Sequence, residues 1–309
     1  MSVLNAPYFQ NEKKAFEHLE SVLWKGGVSC PHCGVISDRH YDLRKTRLGL
    51  RKCADCRKQF TVKVKTVFES AHIPLHKMLQ AVFLMCSSKK GISAHQLHRI
   101  LGITYKSAWF LAHRIREAMR SGELSPIGGD GKTVEADETY FGNKKVIRKR
   151  TKRGKSAHSS KRSVVALVER GGKVKSFHVD RATRSAVEKI VTDNVMRESR
   201  LHTDESNLYG MIGDSFAEHS TVRHSSGEYV RGDCHTNTIE GVFSIFKRGM
   251  KGVYQHCSEK HLHRYLAEFD FRYNHRVALG VNDEGRTDRT LEGIKGKRLT
   301  YRGGNRIFA

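Results

Sequence analysis

The stretches "CPHCG" and "CADCR" narrow the folds open to this chain more than anything else in it. They place Cys30, Cys33, Cys53 and Cys56 as C-x2-C, nineteen residues, C-x2-C. That is the spacing of a four-thiolate zinc site: two short loops each aim two sulfurs at one point, and a tetrahedral ion joins them. Four unrelated cysteines, or a redox dithiol, explain two such pairs poorly. Four thiolates leave no open position for a substrate, so one structural Zn²⁺ is expected. Between the pairs, "RHYDLRK" and "LGLRKC" are short enough for strands of a zinc ribbon. After them "KQFTVKVKTVF" alternates Thr61, Lys63 and Lys65 with Val62, Val64 and Thr66, as a strand does. Cys86, Cys234 and Cys257 remain and read as reduced thiols. Cys234 and His235, taken with His256 and Cys257, have the spacing of no standard metal site.

Charge comes next, because it selects partners. The 309 residues carry 56 Lys and Arg against 32 Asp and Glu, a formal net charge of +24. Such an excess favours polyanions, and a nucleic-acid backbone releases counterions at each neutralised phosphate. An anionic membrane surface is the rival partner. No apolar run reaches the roughly 18 residues of a membrane span. The start, "MSVLNAPYFQNEKK", lacks an apolar signal-peptide core. A cytoplasmic, nucleoid-associated protein with no membrane contact is expected.

From Leu75 to Arg120 the pattern is helical. "GISAHQLHRILGITYKSAWFLAHRIREAM" reads as helix, short turn, helix, with Ser93 and Gln96 spaced as a capping box. Leu97, Ile100 and Leu101 form one apolar stripe; Tyr105, Ala108, Trp109, Ala112 and Met119 form another. The break at "LGIT" has the length and glycine of a helix-turn-helix. Lys106, His113, Arg114, Arg116 and Arg120 would then face DNA. A plain helical hairpin fits the same pattern almost as well. "SGELSPIGGDGK" reads as a linker.

A third region begins at Thr133. "TVEADETYFG" sets Val134 and Ala136 on one face of a strand and Glu135 and Asp137 on the other. "SVVALVERGGKVKSFHV" is a hairpin turning at Gly171-Gly172. A helix over Thr183 to Met196, a strand "RLHTD" ending at Asp204, a helical turn near Tyr209 and a strand "STVRH" follow. Then comes "HTNTIEGVFSIFKRG", a helix whose apolar stripe is Ile239, Val242, Phe243, Phe246 and Met250. Asn237 and Glu240 have capping-box spacing, so Asn237 is expected to cap this helix. This order is that of an RNase-H-like fold with a mixed sheet. The expected organisation is multidomain: zinc ribbon, 1–70; helix-turn-helix-like DNA-binding region, 71–122; RNase-H-like α/β catalytic domain, 130–280; basic C-terminal tail, 281–309. Between the first strand and the hairpin lies "NKKVIRKRTKRGKSAHSSKR", with ten Lys and Arg and no acid. We read it as a DNA-contacting arm carrying Lys149, Arg150, Lys152 and Arg153.

Three acids stand out in that fold. Asp137 lies in the first strand, Asp204 ends the fourth, and Glu240, separated from Asp204 by thirty-five residues, lies near the start of the last helix. Brought together without cationic partners they repel, and two Mg²⁺ would offset the repulsion, with Mn²⁺ able to substitute. A metal pair about 4 Å apart is a standard device for in-line phosphoryl transfer. Glu135 and Glu138 flank Asp137, and Glu135 shares its strand face and is the obvious impostor; Asp214 is a weaker competitor for Asp204.

"EADETYFG", "HTDES.LY", "HSSGEYVRGDCHTNTIEGVFSIFKRGMKGVYQH" and "HLHRYLAEFDFRYNHR" resemble successive motifs of DDE insertion-sequence transposases with an N-terminal zinc ribbon, the IS1595 family. The likeness runs from the ribbon to about Arg276. It implies that Asp137, Asp204 and Glu240 bind the catalytic metals and that Lys247, with Arg248, contacts a phosphate of the element's end. His224 and Asn237 fall in the shared motifs as further DNA-side residues. It implies cleavage of phosphodiesters at insertion-sequence ends and joining of the 3′-hydroxyl to target DNA. The partners would be double-stranded DNA, as terminal inverted repeats and as target, and a second copy of the chain in a homodimer or higher oligomer. A zinc-ribbon DNA-binding regulator with a dead catalytic fold, and an RNase-H-like nuclease without strand transfer, are the alternatives.

Overall fold

The computed structural model describes residues 3–120, 122, 125–143, 161–210 and 212–301. The arm residues Lys149, Arg150, Lys152 and Arg153 lie outside the described residues. The chain divides into two compact units, Met1–Ser121 with Gly280–Ala309, and Gly122–Leu279.

The first unit opens with α1 (Pro7–Gln10) and α2 (Glu12–Leu23), the latter capped by Asn11, whose side chain accepts from Lys14 N–H at 3.1 Å. Three two-residue strands follow, β1 (Tyr41–Asp42), β2 (Arg51–Lys52) and β3 (Gln59–Phe60), paired antiparallel in that order. The strand expected through Thr66 stops at Phe60. Val64 N–H turns back to Thr61 O and Thr66 N–H to Lys63 O, while Lys65 takes a φ of 54°. Past Phe60 the backbone satisfies itself in these turns and, at Lys65–Val67, by bridging to Ile294–Gly296, where Gly296 N–H donates to Lys65 O at 2.9 Å and Val67 N–H to Ile294 O at 3.2 Å.

Three helices come next: α3 (Leu75–Ser87), α4 (Ala94–Leu101) and α5 (Tyr105–Met119). The Ser93/Gln96 capping box is present, and Gly102 ends α4 in the left-handed conformation at φ 58°. Leu97 and Leu101 are buried, but Ile100 is 58% exposed. Of the five residues expected to face DNA, His113, Arg114 and Arg116 are buried and only Lys106 and Arg120 are exposed. The last turns of α5 are enclosed on every side, so its amphipathic pattern misstates its outer face.

The second unit is built on a five-stranded mixed sheet. Its strands are β4 (Thr133–Asn143), β5 (Lys161–Glu169), β6 (Val174–Val179), β7 (Arg200–Asp204) and β8 (Glu218–Val222), in the order β6-β5-β4-β7-β8. The first three are antiparallel neighbours; β7 runs parallel to β4 and β8 parallel to β7. Gly171 supplies the positive φ, 69°, at the β5–β6 turn. Helix α6 (Arg184–Asn194) crosses from β6 to β7. Between β7 and β8 the chain makes turns around the buried Tyr209 and one short 3-10 turn. A small ribbon, β9 (Val230–Arg231) with β10 (Cys234–His235), leads into α7 (Asn237–Gly249), a π-helical turn at Met250–Tyr254, and α8 (Leu262–Asn274).

Alternation along the strands divides the core. Val134 and Ala136 of β4 join Val165, Leu167, Val187, Val191 and Tyr209 on one face. Phe141 of β4 joins Val164, Ala166, Val168 and the whole apolar stripe of α7 on the other, with Leu262, Tyr265, Leu266 and Phe269 of α8. Odd-numbered β4 residues thus face α7, which decides where Glu135 and Asp137 point.

The chain then returns to the first unit as α9 (Asp283–Glu292). Residues 281–309, expected as a tail, therefore contribute a helix with Thr290, Leu291 and the following Ile294 fully buried. Its basic residues have structural work. Arg286 Nε donates to Cys86 O at 2.9 Å at the end of α3, and Lys297 Nζ donates to Ala118 O at 3.0 Å and Arg120 O at 2.6 Å at the end of α5. Cations satisfy carbonyls that a helix end leaves unpaired.

Candidate active site and metal centre

In the first unit the four ribbon cysteines converge. Each offers a sulfur, and all four sulfurs lie within 4.8 Å of one another. Cys30 Sγ is 3.7 Å from Cys56 Sγ, and Cys33 Sγ is 3.6 Å from Cys53 Sγ. A regular tetrahedron with zinc–sulfur bonds of about 2.3 Å has edges of about 3.8 Å, so the donor set fits Zn²⁺. Burial pushes the Cys30 thiol up to about 12, against the backbone amides of Cys33 and His32. At Cys53 burial also raises the thiol, but the amides of Cys56 and Asp55 and the neighbouring sulfurs outweigh it and draw it down to about 6. A structural zinc is the group that this cluster suits. Cys234 and Cys257 belong to no such cluster: among the described residues, no other group of three or more His, Cys, Asp or Glu ligand atoms lies that close.

In the second unit the candidate acids are assembled by the sheet. Parallel pairing sets Glu135 opposite His202. Carrying that register two residues on brings Asp137 beside Asp204, on the face that α7 covers. Helix α7 starts beside the same strand and carries Glu240. The three carboxylates do not form a single tight cage; their ligand atoms are not all within 4.8 Å. They do feel one another. Burial first, then the charges of Asp204, Glu138 and Glu240, push Asp137 up to about 8, although Glu138 N–H donates to its Oδ1 at 2.7 Å. Burial, with Glu205, raises Asp204 against the Ser206 N–H that donates to it at 3.0 Å. Burial and Asp204 raise Glu138, whose carboxylate accepts from Tyr209 Oη at 3.0 Å. Burial and neighbouring like charge both disfavour the ionised forms here, and a nearby positive charge would favour them.

Glu240 is half-exposed. Thr236 Oγ1 donates to its Oε1 at 3.3 Å, and His224 Nε2 lies 3.7 Å from the same oxygen and 3.2 Å from the Thr236 hydroxyl. His224 thus stands beside Glu240. Asn237 departs from expectation: it is the exposed first residue of α7, Thr236 holds the cap position, and neither side chain caps the helix. The free amide of Ile239 is taken instead by Glu135 Oε2 at 2.9 Å. Glu135 is fully buried and also accepts from Thr238 Oγ1 at 2.8 Å and Arg170 Nε at 2.7 Å. With its oxygens occupied by the helix end and an arginine, the suspected impostor is a structural carboxylate.

A cleft of about 660 Å³ opens on this side of the unit. Asp137, Glu138, Thr139 and Glu240 line it together with Lys247, Arg248 and Lys251. Lys251 was not singled out in the sequence, although Glu240, Ser244, Lys247 and Lys251 continue one helical row at i, i+4, i+7 and i+11. Asp214, the other competitor, sits in the 3-10 turn.

Comparison with known proteins agrees with this architecture. The ISXO2-like transposase domain of the IS1595 group matches residues 128–274, and the transposase zinc-ribbon domain of the same group matches residues 10–59. A protein from Halobacterium salinarum, described as an uncharacterized protein in transposable element ISH50, is 28% identical over 277 residues, spanning 85% of this chain and 91% of that protein. Two domain matches, one on the cysteine cluster and the other on the five-stranded sheet with its acids, lead to one conclusion: the chain carries a zinc-ribbon domain and a transposase domain of the IS1595 group of insertion-sequence transposases.

Proposed function

We propose that this transposase cleaves phosphodiesters at the ends of its insertion sequence and joins the freed 3′-hydroxyl to target DNA, using Asp137, Asp204 and Glu240 to hold two Mg²⁺. The observation that carries the reading is the cleft, which Asp137, Glu138 and Glu240 share with Lys247, Arg248 and Lys251, with Asp137 pushed up by burial and by the neighbouring acids. The sheet order supports an RNase-H-like fold for the second unit. Bound cations would supply activation of the attacking hydroxyl and charge neutralisation at the leaving oxygen. Two cations shared among three carboxylates do not need one tight cage, since each ligand has to reach only one ion.

The chain's own groups do the rest. Lys247, Arg248 and Lys251 bind phosphate oxygens and hold the strand across the acids. His224 and the Thr236 hydroxyl restrain the Glu240 carboxylate. The ribbon and the α3–α5 region, acting as a helix-turn-helix, bind terminal repeats through the exposed first turn of α5, with Lys106 in it. Lys149, Arg150, Lys152 and Arg153 add sequence-independent affinity. Two ends are joined in one event, so the active form is at least a dimer.

The test is purified protein with labelled DNA ends from the repeats flanking its own gene, in Mg²⁺ or Mn²⁺, beside Asp137→Asn and Glu240→Gln. Cleavage and joining should fall at least a thousandfold in both variants while DNA binding persists. Binding with no cleavage by the unaltered protein in any divalent metal would overturn the proposal in favour of a regulator. Cleavage of branched DNA regardless of end sequence, without joining, would favour a simple nuclease.

A further inference from the structure

The fully buried Glu135 raises a question that its neighbours answer. A buried carboxylate is costly unless paired and hydrogen-bonded, and each partner of this one belongs to α7, its approach, or the β5–β6 turn. Thr238 Oγ1 and Ile239 N–H donate from the first turn of α7; the His235 ring lies 3.4 Å away in β10; Arg170 Nε donates from the turn. Arg170 then spends its other nitrogens on the same approach. It donates to Asp233 O and Asp233 Oδ1 at 2.9 Å each and to His235 O at 3.0 Å, and lies 3.1 Å from His202 Nδ1. One carboxylate and one guanidinium so bind the chain at Asp233, His235, Thr238 and Ile239 to the strands that carry Asp137 and Asp204.

Glu240 is the next residue. Its side chain is half-exposed and, among the described residues, held by the long contacts to Thr236 and His224. Its place is therefore set by its backbone. Burial of the apolar stripe turns one face of α7 to the sheet but holds its position along the helix axis only loosely, because hydrophobic burial has no direction. A slide of one turn would keep that face and carry Glu240 about 5.4 Å away from Asp137. Hydrogen bonds to a fixed carboxylate do have direction. The negative charge also sits at the helix N-terminus, where the macrodipole favours it.

We infer that Glu135 and Arg170 are positioning residues that fix the register of α7 on β4 and thereby set Glu240 at the distance from Asp137 at which one cation can be shared. The inference rests on the proposed metal role of those two acids.

The experiment measures Mn²⁺ binding by calorimetry on the zinc-loaded full chain, with thermal melting alongside. Glu135→Gln, Arg170→Gln and the milder Thr238→Val are compared with Val187→Ala, which creates a cavity on the opposite face of the sheet. Loss of a group that orients a metal ligand weakens metal binding by roughly 10–100-fold. That loss is expected in the Glu135 and Arg170 variants, a smaller one in Thr238→Val, and none in Val187→Ala at an equal drop in melting temperature. If the Glu135 or Arg170 variant does not fold, Thr238→Val carries the test. Lower melting temperatures with unchanged Mn²⁺ affinity in these variants would overturn the inference and leave the cleavage proposal standing. No Asp137-dependent Mn²⁺ binding by the unaltered protein would overturn the metal reading, and the inference with it.

Discussion

Glu12 and Glu135 do the same work in different units. Each is an acid remote in sequence that supplies the cap a helix lacks. Pro74 precedes α3 and offers no side-chain cap; Glu12 accepts from Leu75 N–H at 2.7 Å and His76 N–H at 3.1 Å, with the His76 ring at 2.7 Å. Burial raises the Glu12 carboxyl, but those three partners outweigh it and leave it below its ordinary value. A depressed folded-state pKa gives stability that is present above the unfolded value and lost as pH falls through the folded one. Glu12→Gln should therefore cost about 1 kcal/mol at pH 7, and the gap from the unaltered protein should close below about pH 4, as urea melts across that range would show. Neither cap was legible. Alternation assigned Glu135 to the face of Asp137, which was right, but alternation reports a face and not what lies on it. Asp137 and Glu135 differ only in their partners, and those of Glu135 come from the β5–β6 turn and the start of α7. Asn237 misled for the converse reason: a local capping pattern was present, and a remote carboxylate had already taken the amide.

Helix α7 shows how much an element's periodicity can carry. The stripe Ile239, Val242, Phe243, Phe246 and Met250 is buried throughout, and Glu240 and Lys247 line the same cleft from one row. Core packing and cleft lining are not rival readings of α7, since the row of Glu240 and Lys247 runs along the edge of the buried stripe. The π-helical turn at Met250–Tyr254, closed by Gln255 N–H to Met250 O at 2.8 Å with Gln255 at φ 52°, left no mark in the pattern. Its hydrogen bond spans five residues where that of an α-helix spans four, too small a change for side-chain spacing to reveal. Helix α5 failed differently. Its basic residues read as an outer face, yet burial there depends on segments from the other end of the chain. In the ribbon, the cysteine spacing was legible because a metal imposes its own geometry. Strands two residues long cannot stand alone in water, so zinc and the ribbon should be lost together. Hydrogen exchange after chelation should show fast exchange across residues 28–60 and unchanged protection in β4, β5 and β7; retained protection in the ribbon would refute this.

Across the whole molecule, the first unit is discontinuous and the second is inserted within it. Composition marked the C-terminal stretch as basic, and a basic stretch ordinarily reads as solvated. Here Arg286 and Lys297 meet the open carbonyls of α3 and α5, a pairing between segments about 180 to 200 residues apart. Removal of residues 281–309 should therefore melt the α3–α5 region while leaving the fold of the second unit intact. Circular dichroism and limited proteolysis would show this, and a first unit that melted as before would contradict it. The family and the mixed sheet could be read from motifs and alternation; the discontinuity could not, because nothing local distinguishes a tail from a returning helix.

That return of the chain has a consequence in time. During synthesis, α3 and α5 leave the ribosome with their last carbonyls unanswered, and the residues that answer them follow only after residues 122–279 have been made. At 5–20 residues per second the interval is roughly ten to thirty seconds. The inserted unit is complete before its host is, and a chain cut short before Lys297 carries a finished insert on a first unit whose helix ends are still open. Translation through Lys297 is thus a condition for having both units on one molecule.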